Sequence, residues 1–135
     1  MLDANVYLSA LIRPPGPPGQ VIDRFLRDAT FDLVLSPAIV DETLRGFRYP
    51  KVRKCIRADV DPAIWFEGII VLARLVTGDQ KVGVSADPDD DKYLAAAIEG
   101  GANFVVSGDL DLLTLRGYDG IQIVTPREFL GVIGG

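Results

Sequence analysis

Four times in this 135-residue chain a residue suited to capping is followed directly by proline: Ser36-Pro37, Asp61-Pro62, Asp87-Pro88 and Thr125-Pro126. Ser, Thr and Asp accept hydrogen bonds from the free amides of a first helical turn. Proline fits the first helical position, where its missing N–H has no partner to lose. Each pair therefore predicts a helix start. Phe31–Leu35 and Ile121–Val124, short apolar runs that read as strands, come just before two of them. Thr125-Pro-Arg-Glu128 adds the glutamate of a capping box.

The remaining chain fits the same alternation. Leu2 is the stub of a first strand, Asn5–Leu11 a short helix and Phe104–Val106 a buried-type strand. Val21, Ile22, Phe25 and Leu26 have helical spacing within Gln20–Arg27, a long helix is expected over Ala63–Val76, and another over Tyr93–Ile98. Arg13–Gly19, with its two Pro-Pro-Gly units, reads as a surface loop. Strands alternating with helices predict one α/β domain over residues 1–135 with a mainly parallel sheet.

No histidine occurs, which excludes a Ser-His-Asp triad, a histidine base and a His-ligated zinc. Cys55 is the single cysteine, so it forms no intramolecular disulfide or cysteine metal site, and it reads as a small apolar filler. Chemistry is left to carboxylates, which in a converging set hold hard cations such as Mg²⁺ or Mn²⁺. No apolar run reaches membrane-spanning length and no basic leader precedes Asp3, so the expected place is the cytoplasm.

In an open parallel sheet, ligands bind beyond the carboxyl ends of the strands. Asp3 follows the first strand, and Asp109 follows Phe104–Gly108. Glu42 lies about two turns into the helix opened by Ser36-Pro37, and Asp91 about one turn after Asp87-Pro88. All four can overhang one crevice. Each also has a plainer reading: Asp3 and Asp109 as turn or cap residues, Glu42 as an exposed helix residue. Asp87 caps, while Asp89 and Asp90 suit the positive end of the helix dipole. Asp91 is the acid of that run least explained by capping.

Net charge is −5, yet Arg45, Arg48, Lys51, Arg53, Lys54 and Arg57 form a segment with no acid between Thr43 and Ala58. It is either a solvated face or a phosphate-contacting surface beside Glu42. Trp65, Phe66, Ile69 and Ile70 on the long helix are either core or a partner surface.

Leu2-Asp3-Ala4-Asn5-Val6 with Ser9-Ala10-Leu11, Ser36-Pro37 through Glu42, Asp87 through Ala97, Ala102 through Leu113 and Val124 through Phe129 follow one another along the chain. Together they resemble the PIN-domain nucleases, and most closely the toxin components of type II toxin–antitoxin systems. The resemblance implies a three-layer α/β/α sandwich, and Mg²⁺- or Mn²⁺-dependent cleavage of single-stranded RNA to a 5′-phosphate and a 3′-hydroxyl. It also implies a homodimer and a cognate antitoxin. By residue, it makes Asp3, Glu42, Asp91 and Asp109 the catalytic acids, with Asp3, Asp91 and Asp109 on the metal. Asn5 and Ser107 match orienting positions, and Asp111 is a fifth contributor. Arg45, Arg48, Lys51, Arg53 and Lys54 would contact RNA.

The chain departs from that family in two places. Only two residues precede Asp3, which points to a late start or a trimmed chain, and Ala4 replaces the more usual Thr or Ser. Two rivals stand beside the nuclease. A phosphoacceptor domain wants a lysine after a late strand, where this chain has Thr125-Pro126-Arg127. A catalytically silent module of the same fold would act by docking a partner.

Overall fold

The computed structural model describes residues 1–80, 82 and 90–134. In chain order the helices are α1 (Ala4–Ile12), α2 (Pro17–Asp28), α3 (Pro37–Arg48), α4 (Pro50–Arg53), α5 (Pro62–Leu72), α6 (Asp91–Gly100), α7 (Leu110–Leu115) and α8 (Pro126–Val132). The strands are β1 (Val34–Leu35), β2 (Arg74–Leu75), β3 (Phe104–Val106), β4 (Gly117–Tyr118) and β5 (Ile121–Val124). The fold is α/β with parallel pairing, as the alternation predicts.

Three of the four cap-proline pairs open helices as expected. Ser36 accepts from the Ile39 amide, Asp61 from Ala63 and Ile64, and Thr125 and Glu128 form a reciprocal capping box. Asp87-Pro88 lies outside the described residues, as does Asp89. The Pro-rich segment differs from expectation. α2 already begins at Pro17, with the two prolines on its first positions, where no amide donor is required. The predicted helix over Ala63–Val76 stops at Leu72, and Arg74–Leu75 runs as a strand parallel to β1 instead.

β3 pairs in parallel with β5, and β4 folds back antiparallel on β5. On the other edge of β3, Leu2 forms a parallel bridge to Val106: the Asp3 amide donates to Val106 O at 3.0 Å and Val106 donates to Met1 O at 2.9 Å. The stub of first strand is thus paired and buried. β1 and β2 form a separate two-stranded pair, so the hydrogen-bonded strands divide into two sheets among the described residues rather than one.

The core runs between these strands and the apolar faces of the helices. Val105, Val106, Leu35 and Leu2 pack with Tyr7, Val21, Ile39 and Leu94, all nearly inaccessible. Phe66 and Ile69 join that core, so they are not partner surface, and Trp65 and Ile70 are half-buried against it. The exposed apolar residues of this region are Ile64, Val71, Leu72 and Leu75. Cys55 is exposed, which corrects its reading as a filler. No helix among the described residues is long and apolar enough to cross a membrane.

Candidate active site

Asp3 and Asp109 stand at the carboxyl ends of neighbouring strands, and each caps the helix that follows. Asp3 Oδ1 accepts from the Asn5 amide at 2.9 Å, and Asp109 Oδ1 from the Asp111 amide at 3.0 Å. The capping reading is therefore correct for both, and it does not exclude chemistry. A cap uses one oxygen of the carboxylate, and the second points elsewhere.

For Asp3 that second oxygen is fixed. Ser107, fully buried, donates its hydroxyl to Asp3 Oδ2 at 2.6 Å and accepts from the Asp109 amide at 2.9 Å. One side chain thus holds both strand-end acids in register. Asn5 contributes through its backbone amide, while the residue itself is exposed. Burial drives the Asp3 carboxyl above the ordinary carboxylate range; the hydrogen bonds from Ser107 and Asn5 oppose this, and the negative charges of Glu42 and Asp109 add to it.

Those two neighbours place Glu42 and Asp109 in the field of Asp3, as the sheet-edge argument predicts. Glu42, half-buried on α3, is gripped from the first turn of α6. Lys92 donates to its Oε2 and Tyr93 donates its hydroxyl to Oε1. Burial, the charge of Asp3 and the bond to Glu42 push the Tyr93 phenol far up, so it remains a donor at any physiological pH.

Among the described residues, Asp90, Asp109 and Asp111 form a group, each offering a carboxylate oxygen within 4.8 Å of the others. Asp111 is thus brought beside Asp109. Asp90 is the N-cap of α6, at the positive end of the helix dipole as its charge suits, and it is also only 8% exposed and belongs to this group. The sequence carried a signal for it. Asp90 caps α6 just ahead of Tyr93 to Ala97, a run that is small or apolar throughout and buried, so an acid here stands at the head of a buried helix. An acid buried there requires a partner or a cation. Asp91, one residue on, begins α6 and is half-buried. Lys92 and Tyr93 are the other site residues that sequence reasoning did not single out.

The donor set is all oxygen, with no histidine in the chain and Cys55 distant in sequence on an exposed turn. That chemistry fits Mg²⁺ or Mn²⁺ and does not fit structural zinc. Among the described residues, Asp90, Asp109 and Asp111 could hold such an ion, and Asp3 feels the charge of Asp109.

Arg45, Arg48, Lys51, Arg53 and Lys54 are all exposed along α3, α4 and the turn beyond. Arg57 is engaged by Asp59 through two bonds of 3.1 and 2.8 Å. A cavity of about 780 Å³ lies between the end of α3 and the start of α5, lined by Arg48, Arg53, Lys54 and Arg57.

A family model described as PIN domain matches residues 1–111, which include Asp3, Glu42, Asp90, Asp91, Asp109 and Asp111. A protein of Methanocaldococcus jannaschii described as uncharacterised is 29% identical over 140 residues, covering 96% of this chain and 88% of its own length. No solved structure matched the chain.

Proposed function

We propose, from the premise that this chain belongs to the PIN-domain family, that it is an Mg²⁺- or Mn²⁺-dependent endoribonuclease acting on single-stranded RNA. PIN domains are generally nucleases and usually use divalent metals. The observation that carries the finer reading is the buried Ser107, which ties Asp3 to Asp109, itself one of three acids, with Asp90 and Asp111, whose carboxylate oxygens converge. A buried hydroxyl spent on two acids is hard to explain by helix capping, since both caps are made without it.

A divalent ion bound there supplies an activated water and offsets charge on the phosphorane-like transition state. The protein's own part is positional. Ser107 and the Asn5 amide fix the oxygens of Asp3, α7 fixes Asp109 and Asp111, and the first turn of α6 brings Asp90 and Asp91 to the same edge. Glu42 lies on the side of the site where α3 leads away to Arg45, Arg48, Lys51, Arg53 and Lys54. Those cations guide the phosphate backbone toward the acids. Tyr49, 60% exposed among them, offers a face on which an unpaired base stacks.

On the same reading the chain acts in the cytoplasm as the toxin of a toxin–antitoxin pair. The exposed Ile64, Val71 and Leu72 of α5 are an apolar surface for an antitoxin or a second copy in a homodimer. The test is cleavage of an end-labelled, unstructured RNA with Mn²⁺ and with EDTA. EDTA-sensitive cleavage leaving 5′-phosphate ends supports the nuclease; binding without any Mn²⁺-dependent cleavage supports a silent docking module.

A further inference from the structure

The two oxygens of Glu42 are both engaged from α6, one by the Lys92 ammonium and one by the Tyr93 hydroxyl. Lys92 is itself confined. Its side chain is 23% exposed, and its ammonium lies 5.5 Å from the centroid of the Tyr93 ring. Asp90, Asp109 and Asp111, by contrast, converge on one another. The site therefore has two halves, a cluster of carboxylates and a single carboxylate already matched by a cation.

A two-metal nuclease needs ions roughly 3.5–4 Å apart, each with its own ligands. Here an ion on Glu42 has to displace an ammonium and a hydroxyl that are built into the first turn of the helix carrying Asp90 and Asp91. The lysine ammonium is a compact point charge, and here it already occupies the position beside the Glu42 carboxylate that a small cation would need.

We propose that Lys92 takes the place of the second metal ion, so that the chain binds one divalent cation among the aspartates and keeps Glu42 as the partner of a resident ammonium. Lys92 is then a determinant of metal count, and Tyr93 holds Glu42 in the orientation that receives it. This rests on the nuclease reading above.

The experiment is Mn²⁺ binding by the full chain, followed by calorimetry for stoichiometry and by electron paramagnetic resonance for spin coupling between adjacent ions. The wild-type chain is expected to bind one site-specific ion with an uncoupled Mn²⁺ spectrum. Lys92→Met, which keeps the length of the side chain and removes its charge, is expected to bind two and to show coupling. Lys92→Arg, which keeps the charge, should return to one. The double variant Lys92→Met/Glu42→Gln should also bind one, because the second ion has lost its ligand. Two coupled ions in the wild type, or one ion in a folded Lys92→Met, overturns the proposal and leaves the nuclease reading standing. No bound ion in the wild type overturns both.

Discussion

Ser107 and Asp3 lie 104 positions apart in the chain, and the serine hydroxyl donates to the aspartate across 2.6 Å in a fully buried setting. The bond exists because Leu2 pairs with β3, which brings the ends of two strands side by side. Ser107→Ala removes that donor and also leaves the Asp109 amide without its acceptor. Loss of a bond to a buried polar pair costs about 1–3 kcal/mol. Urea unfolding should show that loss, and Mn²⁺ affinity should fall with it. A variant as stable as wild type with unchanged Mn²⁺ affinity would remove Ser107 from the site.

Asp90 and Asp91 are adjacent, and the geometry and the family resemblance each single out a different one of them. The geometry puts Asp90 with Asp109 and Asp111, whereas the family resemblance puts Asp91 on the metal. Asp90→Asn is expected to abolish Mn²⁺-stimulated RNA cleavage, and Asp91→Asn to abolish it with a nearly unchanged thermal midpoint if both acids serve. Should Asp90→Asn cleave like wild type, the cluster has no catalytic role.

Much of the site was legible because helix starts are written locally. Asp3 and Asp109 could be placed from an apolar run and a following helix, and both lie where that argument puts them. Lys92 and Tyr93 were not legible in that way, since their partner Glu42 is about 50 positions away and their importance exists only once α3 and α6 are packed together. The strand at Arg74–Leu75 was missed for a related reason. Apart from Arg74, the apolar run of α5 continues through Leu75 and Val76, and pairing with Val34 and Leu35 makes Arg74 and Leu75 extended. The β4–β5 hairpin did carry a local signal. Asp119 and Gly120 both adopt positive φ, 51° and 82°, as an Asp-Gly hairpin turn requires.

The early start of α2 can be checked at Gly19. A methyl group there would lie 2.0 Å from the Pro14 carbonyl oxygen and within 3 Å of two further backbone atoms of that residue. Backbone cannot rotate aside as a side chain can. Gly19→Ala should therefore destabilise the chain by about 1–3 kcal/mol or more. A thermal midpoint equal to wild type would mean that Pro14 and α2 do not approach each other this closely.

The basic segment predicts a salt dependence. Each single-strand phosphate neutralised contributes roughly 0.7 to the slope of log affinity against log salt. Replacing Arg53 and Lys54 with glutamine should weaken RNA binding and make the slope shallower by roughly 1.4. Arg57→Gln should change it less, because Arg57 already faces Asp59. An unaltered slope in the double variant would show Arg53 and Lys54 to be only a solvated face.

Asp3 predicts a pH dependence of its own. Its carboxyl is held above the ordinary range chiefly by burial, with Glu42 and Asp109 acting in the same direction. The folded chain therefore binds that proton more tightly than the unfolded chain, whose value is about 3.9. The stabilising contribution is complete below that value and is lost as pH rises through the raised folded value. In EDTA, Asp3→Asn carries no ionising group at this position. Its stability relative to wild type should therefore improve steadily over the same window, as read by denaturant unfolding at successive pH values. Mn²⁺ requires the deprotonated acid, so the stabilisation it gives the wild type should grow across that window. A difference between the two proteins that stays flat with pH would mean that Asp3 titrates normally in the fold.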